Sequence, residues 1–284
     1  MVEPKRTESG YRLYDEISIA RLRAMRQLVD GGWAPSTAAV RVREMDDEAV
    51  AALLAESDAE TYDPTRLPAG SSEAGEALRT AFVEAAGALD EPAVERILDE
   101  MFARGSFEQV TSELVMPALV DLGRGWADGR VDVAGEHAAA GAVQRRLGSA
   151  FMAAGVPRDD EVVLVGMPPG GRHDLGALAF ATTLRRAGMP VRYLGADLPV
   201  ADWVEAVRLT GATAAVIGVV VRNDVRAALE VGRALRRTYP ELLIAFGGRR
   251  ASAVAIDDLG SALVLPDDLT GAVEAMRQSL APAA

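Results

Sequence analysis

Apolar residues at Ile17, Ile19, Leu22, Met25, Leu28 and Val29 recur every three to four positions over residues 14–30, which is the period of an amphipathic helix. The Gly31-Gly32 pair ends it. A second short helix is predicted after Ser36 or Thr37 as N-cap, running through Ala39, Val40 and Val42, with helical pattern resuming over Asp46 to Leu54. The stretch 56–76 is rich in acids, Pro, Gly and Ser and carries no such period, so 56–72 is predicted as a linker. From Ser72 to about Ala154 the helical spacing returns, broken near Leu89-Asp90, Gly105-Ser106 and Trp126 to Asp132. Four helices of that length predict a four-helix bundle over 73–156. Beyond Glu161 the pattern changes to short aliphatic runs, EVVLVGMP, PVRYLGADLP, TAAVIGVVV, ELLIAFGG and SALVLPDDL, with helix-length segments between them. Alternating strands and helices predict a doubly wound parallel sheet of Rossmann-like type over 157–284. The expected fold is all-α followed by α/β, with residues 1–55 as a separate N-terminal helical piece.

Composition narrows what such a chain does. The longest apolar run, Ala212 to Val221, is interrupted by Thr213 and Gly218 and is strand-sized, so no membrane span is expected. The opening MVEPKRTESGYRLY is charged and has no apolar core, so a secretory leader is not expected and the cytoplasm is the expected location. There is no cysteine, which excludes disulfides, thiolate zinc sites and any thioether-linked chromophore. The net charge of −12 argues against broad nucleic-acid affinity. That charge is uneven: residues 1–44 hold eight Lys/Arg against six Asp/Glu, so DNA contact is confined to this part. Neither a P-loop nor a Ser-His-Asp pattern is present, and turnover by the chain itself is not expected.

The candidate chemistry lies in MPPGGRHDLG, residues 167–176, which follows the first aliphatic run and holds one of the two histidines. Ligands on parallel sheets sit at the carboxyl ends of the strands, which is where this turn falls. A dinucleotide site would want G-x-G-x-x-G with an acid some twenty residues on. Asp197 suits the acid, but Gly171 and Gly176 are too far apart. A second reading makes His173 the single imidazole ligand of a metal already held by a macrocycle, for which one histidine suffices. The plain alternative is a loop histidine with no ligand.

His173-x-x-Gly176, with Gly247-Gly248 after the fourth strand, resembles the cobalamin-binding domain of methionine synthase and its relatives. That resemblance implies an imidazole on cobalt in place of the nucleotide base, with the freed tail entering the sheet past the Gly-Gly turn. The acid that orients the histidine in that family falls at Gly171 here, and its Ser or Thr on the third strand falls at Gly218. Upstream, Trp126, nine intervening residues and then Glu136-His137 open a helix whose Ala138–Ala140, Gly141 and Ala142 offer a bare surface. This order resembles the light-sensing cobalamin proteins of the CarH and LitR type. The resemblance implies that Trp126, Glu136 and His137 cap adenosylcobalamin, that light breaks the cobalt–carbon bond, and that a homo-oligomer changes in response. In all it puts cofactor-binding residues at Trp126, Glu136, His137, His173, Asp174, Gly176, Gly218, Val220, Gly247 and Gly248, with His173 the cobalt ligand.

Residues 6–33 look like the wing and following helices of a MerR-type DNA-binding domain. The recognition helix would precede them, so sequence-specific DNA reading is not expected of this stretch. The histidine that follows the tryptophan in the photoreceptors is Ala127 here. Two relatives of similar build stay open: photocobilins, which add a bilin such as biliverdin and would have to hold it non-covalently here, and corrinoid carriers that serve a methyltransferase.

Overall fold

The computed structural model describes residues 5–6, 12–13, 15–30, 35–51, 72–155 and 161–281, and the chain divides into two compact units, Met1–Pro64 and Thr65–Ala284. In the first, β1 (Lys5–Arg6) pairs antiparallel with β2 (Arg12–Leu13), followed by α1 (Glu16–Asp30) and α2 (Pro35–Glu44). α2 starts at Pro35, one or two residues before the predicted cap, in keeping with the fixed φ of proline in a first helical turn. Ala24, Val42 and Val50 form the small core of this unit, and Arg21 ties its helices by donating to Val42 O (2.9 Å) and Asp47 Oδ1 (2.7 Å). The pair Gly31-Gly32, residues 52–54 of the resumed helix, and the predicted linker up to residue 71 lie outside the described residues.

The second unit begins with the bundle: α3 (Glu73–Gly87), α4 (Glu91–Phe102), α5 (Phe107–Val110), a π-helical turn (Thr111–Val115), α6 (Met116–Ala127) and α7 (Val133–Ala153). Each break carries a side-chain cap, with Ser72, Asp90, Ser106 and Asp132 accepting from the N–H of Gly75, Ala93, Gln109 and Gly135. The π turn falls just before Pro117, whose ring would otherwise press on a carbonyl four residues back, and widening the helix there relieves it. Phe82, Leu98, Met101, Leu122 and Leu147 fill the middle of the bundle, all essentially solvent-free.

The α/β layer alternates β3 (Val163–Gly166), α8 (Leu175–Arg186), β4 (Val191–Gly195), α9 (Val200–Thr210), β5 (Ala214–Gly218), α10 (Arg222–Thr238), β6 (Leu243–Gly247), β7 (Leu263–Val264) and α11 (Leu269–Leu280). The five strands are parallel in the order β4-β3-β5-β6-β7, the doubly wound arrangement expected from the sequence. β3 and β5 are buried at every residue, because helices cover both faces. All five predicted runs became strands.

The bundle's apolar core extends onto α8. Leu178 and Ala179 of α8 are part of the bundle's apolar cluster, with Leu175 and Tyr193 packed against it. At the foot of α7 the Arg185 guanidinium lies 3.5 Å from the Phe151 ring centroid and donates to Phe151 O (3.1 Å) and Val191 O (2.8 Å), so one side chain joins α7, α8 and β4. Arg185→Ala removes a desolvated cation–π contact and two hydrogen bonds, together about 2 kcal/mol. The expected result is a thermal midpoint lower by roughly 4–8 °C, read by circular dichroism.

Candidate functional site

The loop from Met167 to Asp174 leaves the carboxyl end of β3. Met167 N donates to Gly195 O (2.9 Å) and Met167 O accepts from Leu198 N (3.3 Å) and Trp203 Nε1 (3.4 Å), so the loop's root is fastened to the end of β4 and to the buried Trp203. Asp197 braces its middle: its carboxylate accepts from Gly170 N (2.6 Å), and its own N–H donates to Gly171 O (2.8 Å). This is a structural task, distinct from the ribose contact that a dinucleotide site would give the same acid. His173 is exposed beyond the brace, and its imidazole has no hydrogen-bond partner among the described residues. Cβ atoms added at Gly170 or Gly176, on either side of it, would meet no atom within 4 Å. Asp174 follows at the N-cap of α8, but its carboxylate does not cap the helix; it accepts from Tyr193 Oη at 2.7 Å. Burial, and then the Asp174 hydrogen bond and charge, hold the Tyr193 phenol far above its usual range, so it stays a donor.

At the neighbouring strand ends, Gly248 has φ +105° and a Cβ there would lie 2.7 Å from Val219 O, so only glycine lets the two loops approach this closely. Val219 N donates to Gly247 O (2.8 Å) and Arg250 N to Val219 O (3.0 Å), which locks the two ends together. Val220 N donates to Asp224 Oδ2 (2.8 Å), as does Val221 N (3.0 Å), so the buried Asp224 shapes the loop that carries Val220. The aligned Ser/Thr position, Gly218, is glycine for a visible reason: the Met167 sulfur already occupies the room a side chain would need.

The bundle places its part of the predicted site at one end. Trp126 at the close of α6 is 41% exposed, Ala127 and Val133 are exposed, and His137 is 75% exposed beside Glu136, with Nε2 3.5 Å from Glu136 Oε2. The bare surface is narrower than the sequence implied. Gly135, Ala139 and Ala142 turn into the bundle core, while Ala140 and Gly141 stay partly open. The lower end of the bundle is fixed against α8 by Phe151 on Arg185, by Glu108 to Arg186 (2.6 Å) and by Phe107 beneath Arg186. α7 and α8 therefore run side by side in the same direction. Ten residues back from Phe151 and Arg185, Leu175 comes level with Gly141, at about 1.5 Å per residue. The first two turns of α7, with Glu136 and His137, thus rise roughly 12 Å past the start of α8. Trp126, about 30 Å up the α5–α6 column from Phe107, stands at the same height. Trp126 at the close of α6, Glu136-His137 at the opening of α7 and the His173 turn before α8 lie toward the same end of the unit.

The structure gathers the predicted residues into two sets, one around the strand ends and one at the top of the bundle. Sequence reasoning missed Met167, Asp224, Trp203 and Tyr193, which hold the predicted residues in place. Only Asp224, three residues past Val221 at a strand-to-helix junction, carried a readable capping signal. Among the described residues no group of three or more His, Asp or Glu could hold a metal ion. An exposed, unpartnered imidazole between open glycines fits a metal already held by a macrocycle.

Residues 78–149 and 161–264 match two families described as B12 binding domains, and residues 1–43 match the MerR HTH family of regulatory proteins. The first covers the bundle and the second the sheet. Among solved structures, the monomethylamine corrinoid protein of Methanosarcina barkeri shares the fold, with a TM-score of 0.56 at 15% identity over 72% of this chain and 97% of that one. Fold and site thus define a cobalamin-binding module of helical bundle and parallel sheet. The HTH-type transcriptional repressor CarH of Myxococcus xanthus is 31% identical over 207 residues, 73% of this chain and 66% of that protein. The repressor CarA of the same organism is 27% identical over 70% of this chain and 60% of that protein. The chain thus spans less than two thirds of either relative, and over that stretch it is similar to CarH-type cobalamin-binding MerR regulators. No described helix is long and apolar enough to cross a membrane.

Proposed function

We propose that this chain is a light-responsive regulator that holds adenosylcobalamin between the top of the bundle and the carboxyl end of the sheet. Bound adenosylcobalamin would supply a cobalt–carbon bond that light cleaves. His173 would supply an imidazole nitrogen to the cobalt, with Asp174 and Gly176 continuing its turn. The loops at Gly218, Val220, Gly247 and Gly248 flank the entry for the nucleotide tail. Trp126, Glu136 and His137 cover the upper face and shield it from water. The output is a change in self-association that bears on transcription, as the MerR relationship of residues 1–43 and the repressor names of both relatives support.

What supports this reading is the order of the elements: Trp126 closes α6, Glu136-His137 open α7 and the His173 turn precedes α8, while the feet of α7 and α8 meet at Phe151 and Arg185. The test is an absorbance spectrum of the full chain with adenosylcobalamin, taken in the dark and again after illumination, with size-exclusion elution recorded for both. A base-off, histidine-ligated spectrum in the dark that changes with light, together with shifted elution, is the expected result. Failure to retain a corrinoid would overturn the reading. A light-inert protein that passes a methyl group from methylcobalamin to a partner enzyme would make it a corrinoid carrier instead.

A further inference from the structure

We propose that Tyr193 is the positioning residue for His173, in place of the acid this chain lacks at Gly171, and that it links the ligand turn to the bundle. The inference rests on the cobalamin reading above and adds a residue to it. A histidine ligand needs its orientation set from outside the metal. The His173 ring has no hydrogen-bond partner among the described residues, so its direction has to come from the backbone on either side. The N-terminal side is fixed by the two Asp197 hydrogen bonds at Gly170 and Gly171. The C-terminal side is fixed at Asp174. Its backbone (φ −91°, ψ −6°) opens α8, while its carboxylate turns away from the helix N–H groups to Tyr193 Oη (2.7 Å). A capping position normally uses an aspartate on its own helix; here the side chain is committed to a neighbouring strand instead.

Tyr193 is itself held from the other side. Its ring meets Phe151 edge to face, with centroids 6.2 Å apart at 65°, and Phe151 lies under the Arg185 guanidinium. A continuous path thus runs from α7 through Phe151, Tyr193 and Asp174 to the residue that bears the imidazole. Phenylalanine at 193 would keep the ring packing and delete only the hydroxyl.

The experiment compares the full chain with Tyr193→Phe, Asp174→Asn and His173→Ala. In the cofactor-free protein, Tyr193→Phe is expected to shift the backbone amide NMR resonances of residues 172–175 while the thermal midpoint barely moves. With cob(II)alamin as the probe, the electron paramagnetic resonance splitting from the axial nitrogen should weaken, and the dissociation constant should rise about tenfold. Asn at 174 retains an oxygen acceptor for the Tyr193 hydroxyl and should behave like the parent. Should Tyr193→Phe keep the parental amide resonances and nitrogen splitting, while His173→Ala loses that splitting, the role of Tyr193 is overturned and the cofactor reading survives. A parent with no splitting that depends on His173 overturns both.

Discussion

His173→Ala is expected to weaken corrinoid binding by at least about 100-fold and to abolish the axial-nitrogen signature of any cobalamin that remains. Losing a partner that merely orients a metal-bound histidine already costs about 10–100-fold in affinity. On the proposed reading, removing the imidazole itself would take away the coordinate bond assigned to His173, and the one other histidine, His137, lies in the bundle. The substitution leaves the fold intact: His173 is exposed, makes no hydrogen bond among the described residues and sits on a loop braced by Asp197. Equilibrium dialysis with hydroxocobalamin, beside thermal melts, separates lost binding from lost structure. The informative control is His137→Ala, which leaves the lower ligand in place and should retain its signature. Parental affinity in His173→Ala would remove the imidazole from the site.

Gly135→Ala is expected to destabilise the bundle by about 2–3 kcal/mol, against the usual trend for such a change in a helix, where alanine gains about 1 kcal/mol over glycine. Gly135 lies in the first turn of α7, where that helix crosses the end of α3 backbone to backbone. A methyl group there would overlap the Ala86 carbonyl oxygen and crowd the Asp132 carboxylate that caps the helix. The obstacle is main chain, so no side chain can turn aside, and α7 has to shift. Its neighbour in the same crossing is also glycine: a Cβ at Gly87 would lie 2.8 Å from Arg130 O. Gly148, on the same helix with nothing within 4 Å of an added Cβ, is the control and should gain stability when changed to alanine. Midpoints measured for both variants decide the matter, since a Gly135→Ala protein as stable as Gly148→Ala would mean the crossing is looser than described. The same variant should also displace Glu136 and His137, because they are the next two residues.

The strands were legible because each aliphatic run was bounded by turn residues and covered on both faces, which leaves an unbroken apolar signature. The helix breaks were legible for a comparable local reason, since Ser106 and Asp132 announce their caps. What hid was long-range. Nothing local marks Tyr193 as a partner of Asp174, because strand and turn meet only when β4 pairs beside β3. The small residues of α7 misled for a related reason. Composition reports that Ala139 and Ala142 are small but not which way they face, and they serve close packing rather than an open platform. Gly218 shows the limit of reading a site position by position, because its missing side chain is explained by the Met167 sulfur fifty-one residues earlier in the chain.

The uneven anchoring of α7 has a mechanical consequence. Its foot is bolted to α8 and β4 through Arg185 and Phe151, while its first two turns pack within the bundle, on Ala86 of α3 and beside Glu91 and Val94 of α4. Such a helix behaves as a cantilever: a push against its upper tip bends or tilts the tip and leaves the root still. Displacement at the corrin face would then be converted into a change in the outer contour of the bundle, without unseating the sheet beneath it.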